Sequence, residues 1–222
     1  MGLLNFLKRI SENAPIETVK KETNNPYQDG NSCLQMIVDN WDVQFAGRYD
    51  VFAKVLYESQ KFDDSLHYLA CAYACHYSKV EYRKKAIEYF QKYLLNPVPC
   101  SNSNFPLYVI YRDLGKDYEG EYDFINAEKC YKLAIQNQGS RYYSSITKQY
   151  EAFPEEIMLG RLYLKMGTQN AIDYWAKLMK YDEYINGNPH ESGFRRHVDR
   201  EYKNALEKHE KGYVYRPRTK KQ

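Results

Sequence analysis

No apolar run in this 222-residue chain approaches the roughly 20 residues that a bilayer-crossing helix needs, which argues against an integral membrane protein. Cysteine is sparse: Cys33, Cys71, Cys75, Cys100 and Cys130 form an odd set without a Cys-x-x-Cys pair. That leaves no disulfide framework to read and points to a reducing, cytoplasmic setting. A secretory signal is not apparent at residues 1–10, where the apolar stretch precedes the basic pair instead of following it. The catalytic signatures are missing too. His-Glu-x-x-His, Gly-x-Ser-x-Gly and Gly-x-Gly-x-x-Gly do not occur, and Gly115-x4-Gly120 is followed by Glu121 rather than Lys-Ser/Thr, so no phosphate-binding loop is expected. A net charge of +3 is too small for a chain-wide nucleic-acid footprint.

What is present is helical. Hydrophobic residues make up 43% of the chain, 24 tyrosines among them, and mean hydropathy is −0.78. Ala, Leu, Tyr, Glu and Lys recur at three-and-four spacing and strand-like alternation is rare, so the fold class expected is all-α. Tyr49, Phe52, Ala53 and Leu56 share one helix face, and Phe62, Ser65, Leu69 and Ala72 share the next. Ser78-Lys79-Val80-Glu81 reads as a capping box opening a third helix that Pro97 and Pro99 end. Helices are expected over 107–119 and 123–136, then from Pro154 to about 165, and from Gly167-Thr168 to about 180. A short helix is expected within 142–150, and a final one over 190–211 whose stripe is Phe194, Val198, Tyr202, Ala205, Leu206 and His209.

Overlaying the pairs exposes a repeat. Tyr111-x-x-Leu114-Gly115-x-x-Tyr118, then Phe124-x-x-Ala127-x-x-x-Tyr131-x-x-Ala134, closely resembles the tetratricopeptide (TPR) repeat. Leu159-Gly160-x-x-Tyr163-x-x-x-Gly167, then Ala171-x-x-x-Trp175-x-x-Leu178, repeats it with one residue deleted at the turn. The Tyr49–Ala72 positions fit more loosely. Ala74-x-x-Tyr77 with Ala86-x-x-x-Phe90-x-x-Tyr93 also has the spacing, which would make the helix over 63–77 the second of one repeat and the first of the next. Both registers stay open from sequence. The resemblance implies an α-α superhelix, a TPR-like solenoid with a C-terminal capping helix. The expected division is an N-terminal amphipathic helix and polar linker at 1–47, repeats at 48–185, the capping helix at 186–211 and a disordered basic tail at 212–222.

Proteins of this family bind peptides or partner proteins in the concave groove, so the resemblance implies a non-catalytic adaptor or scaffold with no cofactor. Two positions after the Leu of each Leu-Gly step, the aligned repeats carry Lys54, Lys116 and Arg161, with Arg112 one turn before Lys116. Stacked repeats would set these cations in a row suited to an acidic peptide. A solvated face neutralised by Asp50, Glu58, Asp113 and Glu119 is the alternative. The family's two-carboxylate clamp wants Lys and Asn four residues apart, where this chain has Asp50 and Lys54, so a chaperone clamp is not expected. Residues 195–222 carry ten Lys/Arg against four Asp/Glu, a net +6 that leaves −3 for 1–194. The tail interleaves Tyr213 and Tyr215 with Arg216, Arg218, Lys220 and Lys221, which makes a nucleic-acid-associated protein the second reading and an anionic membrane surface a third. His67, Cys71 and Cys75 share a helix face, but three ligands strung over about 12 Å of helix cannot meet on one tetrahedral ion. No metal site is expected.

Overall fold

Three aspartates start three of the helices. Asp29, Asp64 and Asp123 sit just before a helix, and each carboxylate accepts from a first-turn backbone N–H, of Asn31, His67 and Asn126 respectively. The computed structural model describes residues 25, 27–47, 49–138, 143–144, 149–150, 154–185 and 193–217. Within them the chain is all-α. The helices are α1 (Gly30–Val38), α2 (Asp50–Ser59), α3 (Ser65–His76), α4 (Arg83–Leu95), α5 (Leu107–Gly120), α6 (Phe124–Asn137), α7 (Pro154–Met166), α8 (Thr168–Leu178), α9 (Asp182–Ile185) and α10 (Gly193–Glu210), with 3-10 turns at Trp41–Ala46 and Val80–Tyr82. Among the described residues, no helix is long and apolar enough to cross a membrane.

Helices adjacent in sequence pack on one another from α1 through α8; α3 also meets α1, and α10 closes on α8 and α9. The apolar interior follows this order. A first cluster gathers Leu34, Phe52, Leu69, Tyr73, Phe90 and Ile110 from α1 to α5; a second holds Ala127, Tyr131, Leu159 and Leu162; a third holds Ala171, Trp175, Phe194 and Val198. Tyr118 packs against both the first and the second cluster, and Tyr163 and Tyr174 against both the second and the third.

The small residues of the repeat do one job twice. A Cβ on Gly115 would lie 2.7–2.8 Å from the ring of Tyr131, and a Cβ on Gly160 would run into the indole of Trp175. Helices α5 and α6, and again α7 and α8, therefore approach closely only because glycine stands beneath a buried aromatic ring. The tyrosines bury their rings and send their hydroxyls across to a neighbour. Tyr131 donates to Glu119 (2.7 Å), Tyr163 to Glu128 (2.7 Å), Tyr174 to the Glu156 carbonyl (3.2 Å) and Tyr93 to the Val98 carbonyl (2.9 Å). Ring area and a wet-end hydrogen bond are obtained from one side chain.

Several local expectations differ from the structure. Residues 1–47 were expected to hold an amphipathic helix and a linker; residues 1–24 lie outside the described residues, but α1 buries Cys33, Leu34 and Ile37 against α2 and α3. The Ser78 capping box does not form, because the Ser78 hydroxyl turns back to the Ala74 carbonyl at 2.6 Å and a 3-10 turn precedes α4. In place of a helix within 142–150, Tyr143–Ser144 pairs antiparallel with Gln149–Tyr150, in keeping with the preference of tyrosine for strands. The chain over 63–77 is one helix, α3, packed on α1, α2 and α4.

Two turns show what the backbone demands. After α5, Tyr122 takes φ 64° while Asp123 N–H bonds the Tyr118 carbonyl and Tyr122 N–H the Glu119 carbonyl. After α10 the same pattern recurs at Gly212, φ 64°. Glycine adopts this left-handed geometry freely, and tyrosine does so at a cost of about 1–2 kcal/mol.

Candidate functional site

A run of ionisable side chains bridges α3, α5 and α7. Asp113 and Asp117 stand one turn apart on α5 and point at α3, both buried. Asp117 receives His76 Nδ1 from the end of α3 at 2.9 Å, and Arg83 Nε approaches its other oxygen at 3.8 Å. Asp113, 1% exposed, is bound by Arg112 Nε at 3.0 Å, Arg112 Nη2 at 3.2 Å and Lys116 Nζ at 2.7 Å, with the Tyr73 hydroxyl at 3.5 Å. Burial by itself would raise the Asp113 carboxyl; the charges of His76, Lys116 and Arg112 outweigh it and hold the group below the usual range. Tyr73 is moved the other way, well up, by burial and by the Asp113 charge.

The charges continue to α7 and α10. Arg112 Nη1 lies 3.7 Å from Glu155 Oε1, and both oxygens of Glu155 lack a hydrogen-bond partner although the residue is 0% exposed. Lys165 reaches from α7 to Glu119 at 2.5 Å. Arg161 Nη2 meets Glu201 of α10 at 3.1 Å, beside Arg200 and His197, whose imidazole is lowered by burial and by the Arg200 charge. Polar ties thus join helices that are not neighbours in sequence, α3 to α5, α5 to α7 and α7 to α10.

The expected basic row is distributed differently. Lys54 is exposed on α2, its ammonium 5.3 Å from the Tyr27 ring centroid. Arg112 and Lys116 converge on one carboxylate, and Arg161 is paired with another, so these three cations are held by the chain's own acids. Of the acids expected to neutralise the row, Asp113 does so; Glu58 instead pairs with Lys61, and Glu119 with Lys165. Glu155 and Glu201 are not among the site residues expected from sequence, yet the spacing contained them. Glu155 precedes the buried Leu159 by four, and Glu201 falls three after Val198 and four before Ala205, on the buried stripe.

Of the basic tail, Arg216 is exposed, and Arg218, Lys220 and Lys221 lie outside the described residues. Tyr215 packs edge-on against Phe124 with centroids 5.8 Å apart, and Lys165 Nζ sits 5.5 Å over its ring. His67 is consumed by Asp64 (2.6 Å) and the Tyr27 carbonyl (3.0 Å). Burial pushes the Cys75 thiol up to about 12 and Cys71 further, away from the thiolate a metal would need. Among the described residues no group of three His, Cys, Asp or Glu is placed to hold a metal ion. Set against known proteins, the chain matches no family model and no curated protein.

Proposed function

We propose that this chain is a TPR-like helical-repeat adaptor, a non-catalytic module that holds a segment of a partner protein along the face of α3, α5 and α7. The observation that carries the reading is the recurrence of one packing device in phase. Gly115 sits beneath Tyr131, and Gly160 beneath Trp175, in successive helix pairs. Pairs built alike stack alike, and the cross-ties between alternate helices are what such a stack would need to keep its curvature. A solenoid of this kind presents every second helix on one side, which gives an extended chain a continuous surface to lie along. Asp113, Asp117, Glu119 and Glu201 there are each met by a basic side chain, which suits docking better than proton transfer.

The competing nucleic-acid reading loses its stacking platform, since Tyr215 is engaged by Phe124 and Lys165, and Tyr213 by Lys208 at 4.9 Å. The test is recovery of partners on the immobilised full chain and on a chain ending at Lys211, each with and without nuclease. A discrete protein that survives both treatments and is lost on Arg161→Glu, at an exposed side chain of α7, supports the groove. Recovery abolished by nuclease would overturn the adaptor reading.

A further inference from the structure

One corner of this face has hydrogen-bond donors without acceptors. A cleft of about 160 Å³ opens between the end of α3, the Val80–Tyr82 turn and α5, lined by His76, Ser78, Lys79, Arg83, Lys116 and Asp117. Three cations and one carboxylate line it; Asp117 receives His76 Nδ1, while Asp113 and Glu121 approach Lys116 and Arg83 from outside the lining. Lys79 is exposed and, among the described residues, has no ion-pair partner. Arg83 is seated rather than free: Nη1 donates to the Gly120 carbonyl at 2.9 Å, and its guanidinium fills the space a Cβ on residue 120 would take. Its contacts with Asp117 and Glu121, at 3.8 and 3.7 Å, are longer than hydrogen bonds, so most of its N–H groups remain available. Lys116 spends one of three donors, on Asp113. The helical start above the cleft lacks a side-chain cap, both at the 3-10 turn and at α4, because Ser78 has turned away to Ala74.

We propose that this cleft binds an oxyanion, a carboxylate or phosphate carried by the partner segment, held by Lys79, Arg83 and Lys116. The partner being a protein rests on the adaptor reading above; the oxyanion site itself does not.

The experiment follows the His76 ring and the backbone amides of residues 79–83 by NMR in the full chain, at fixed pH and ionic strength, while inorganic phosphate is added. Parallel titrations use acetate, a blocked phosphoserine amide and a blocked peptide with a free C-terminal carboxylate. Saturable shifts confined to this corner are expected, with affinity at least about tenfold weaker in the Lys79→Gln/Lys116→Gln variant. Lys79→Gln alone, at an exposed position, weakens binding without threatening the fold. Tighter binding of the phosphoserine amide assigns the site to phosphate, and tighter binding of the free carboxylate to a chain terminus or acidic side chain. Shifts that grow without saturation, or an affinity untouched by both variants, overturn the proposal. A chain that captures a protein partner yet gives no saturable shift loses this site and keeps the adaptor reading; saturable shifts with no captured partner do the reverse.

Discussion

Glycine to alanine inside a helix ordinarily stabilises, by about 0.5–1 kcal/mol, because alanine loses less backbone freedom on folding. Gly160→Ala should do the opposite. The new methyl would fall within 2.6 Å of three indole atoms of Trp175, a side chain 2% exposed and wedged beside Tyr174. Overpacking of this kind costs about 1–3 kcal/mol, so the net expectation is a loss of up to about 2 kcal/mol. For a chain of this size that is a fall in Tm of about 4–8 °C. Urea unfolding followed by far-UV circular dichroism measures the change. The control is a double-mutant cycle with Trp175→Phe, which removes the ring edge that the methyl strikes. In that background Gly160→Ala should be neutral or stabilising, giving a coupling of about 1 kcal/mol or more. If Gly160→Ala stabilises equally in both backgrounds, the close approach of α7 and α8 is wrong, and the repeat argument falls with it.

Gly115→Ala should behave likewise but less severely, since its Cβ meets Tyr131 at 2.7 Å and Cys130 at 3.3 Å. Asp113→Asn removes a buried partner from Arg112 and Lys116 and should cost about 3 kcal/mol at neutral pH by urea titration. Because the Asp113 carboxyl is depressed in the fold, the stability it adds is present above about pH 4 and drains as pH falls through its lower folded value. The variant should therefore flatten the acid limb of stability against pH, and an unchanged limb would assign that limb to other groups. At the α5–α6 turn, Tyr122→Val should destabilise by about 1–2 kcal/mol and Tyr122→Gly should be tolerated, since only glycine takes φ 64° freely. Ending the chain at Lys211 should lower stability by about 1 kcal/mol through loss of the Tyr215 contacts with Phe124 and Lys165; no change in the urea midpoint would mean that the ring is not held there.

The helix pairs were legible because they are written in local terms. Leu114-Gly115 and Leu159-Gly160 each announce a thin helix face, and Tyr131 and Trp175 each announce the bulk that fills it. Asp123 and Pro154 mark helix starts by chemistry that acts within one turn. The candidate site was legible only in part, since its cations were visible and their partners were not. Arg112 and Lys116 looked like an exposed row because Asp113 reads as one more surface acid until α3 covers it. Glu155 directly follows Pro154 in the first turn of α7, and its complete burial depends on how α7 lies against its neighbours.

By itself, then, the sequence determined the all-α class and the helix pairs with glycine beneath an aromatic, because propensity and three-and-four spacing act over a few residues. It did not reach α1, whose short apolar stripe becomes core only when α2 and α3 arrive to cover it. Tertiary structure alone decided which acid meets which base, since His76–Asp117, Arg112–Glu155 and Arg161–Glu201 join residues about forty positions apart. It also decided that Ser78 would satisfy the Ala74 carbonyl and leave the next helix uncapped. Charge pairing at such separation depends on where helix axes lie in space, and a side chain's polarity carries no record of that.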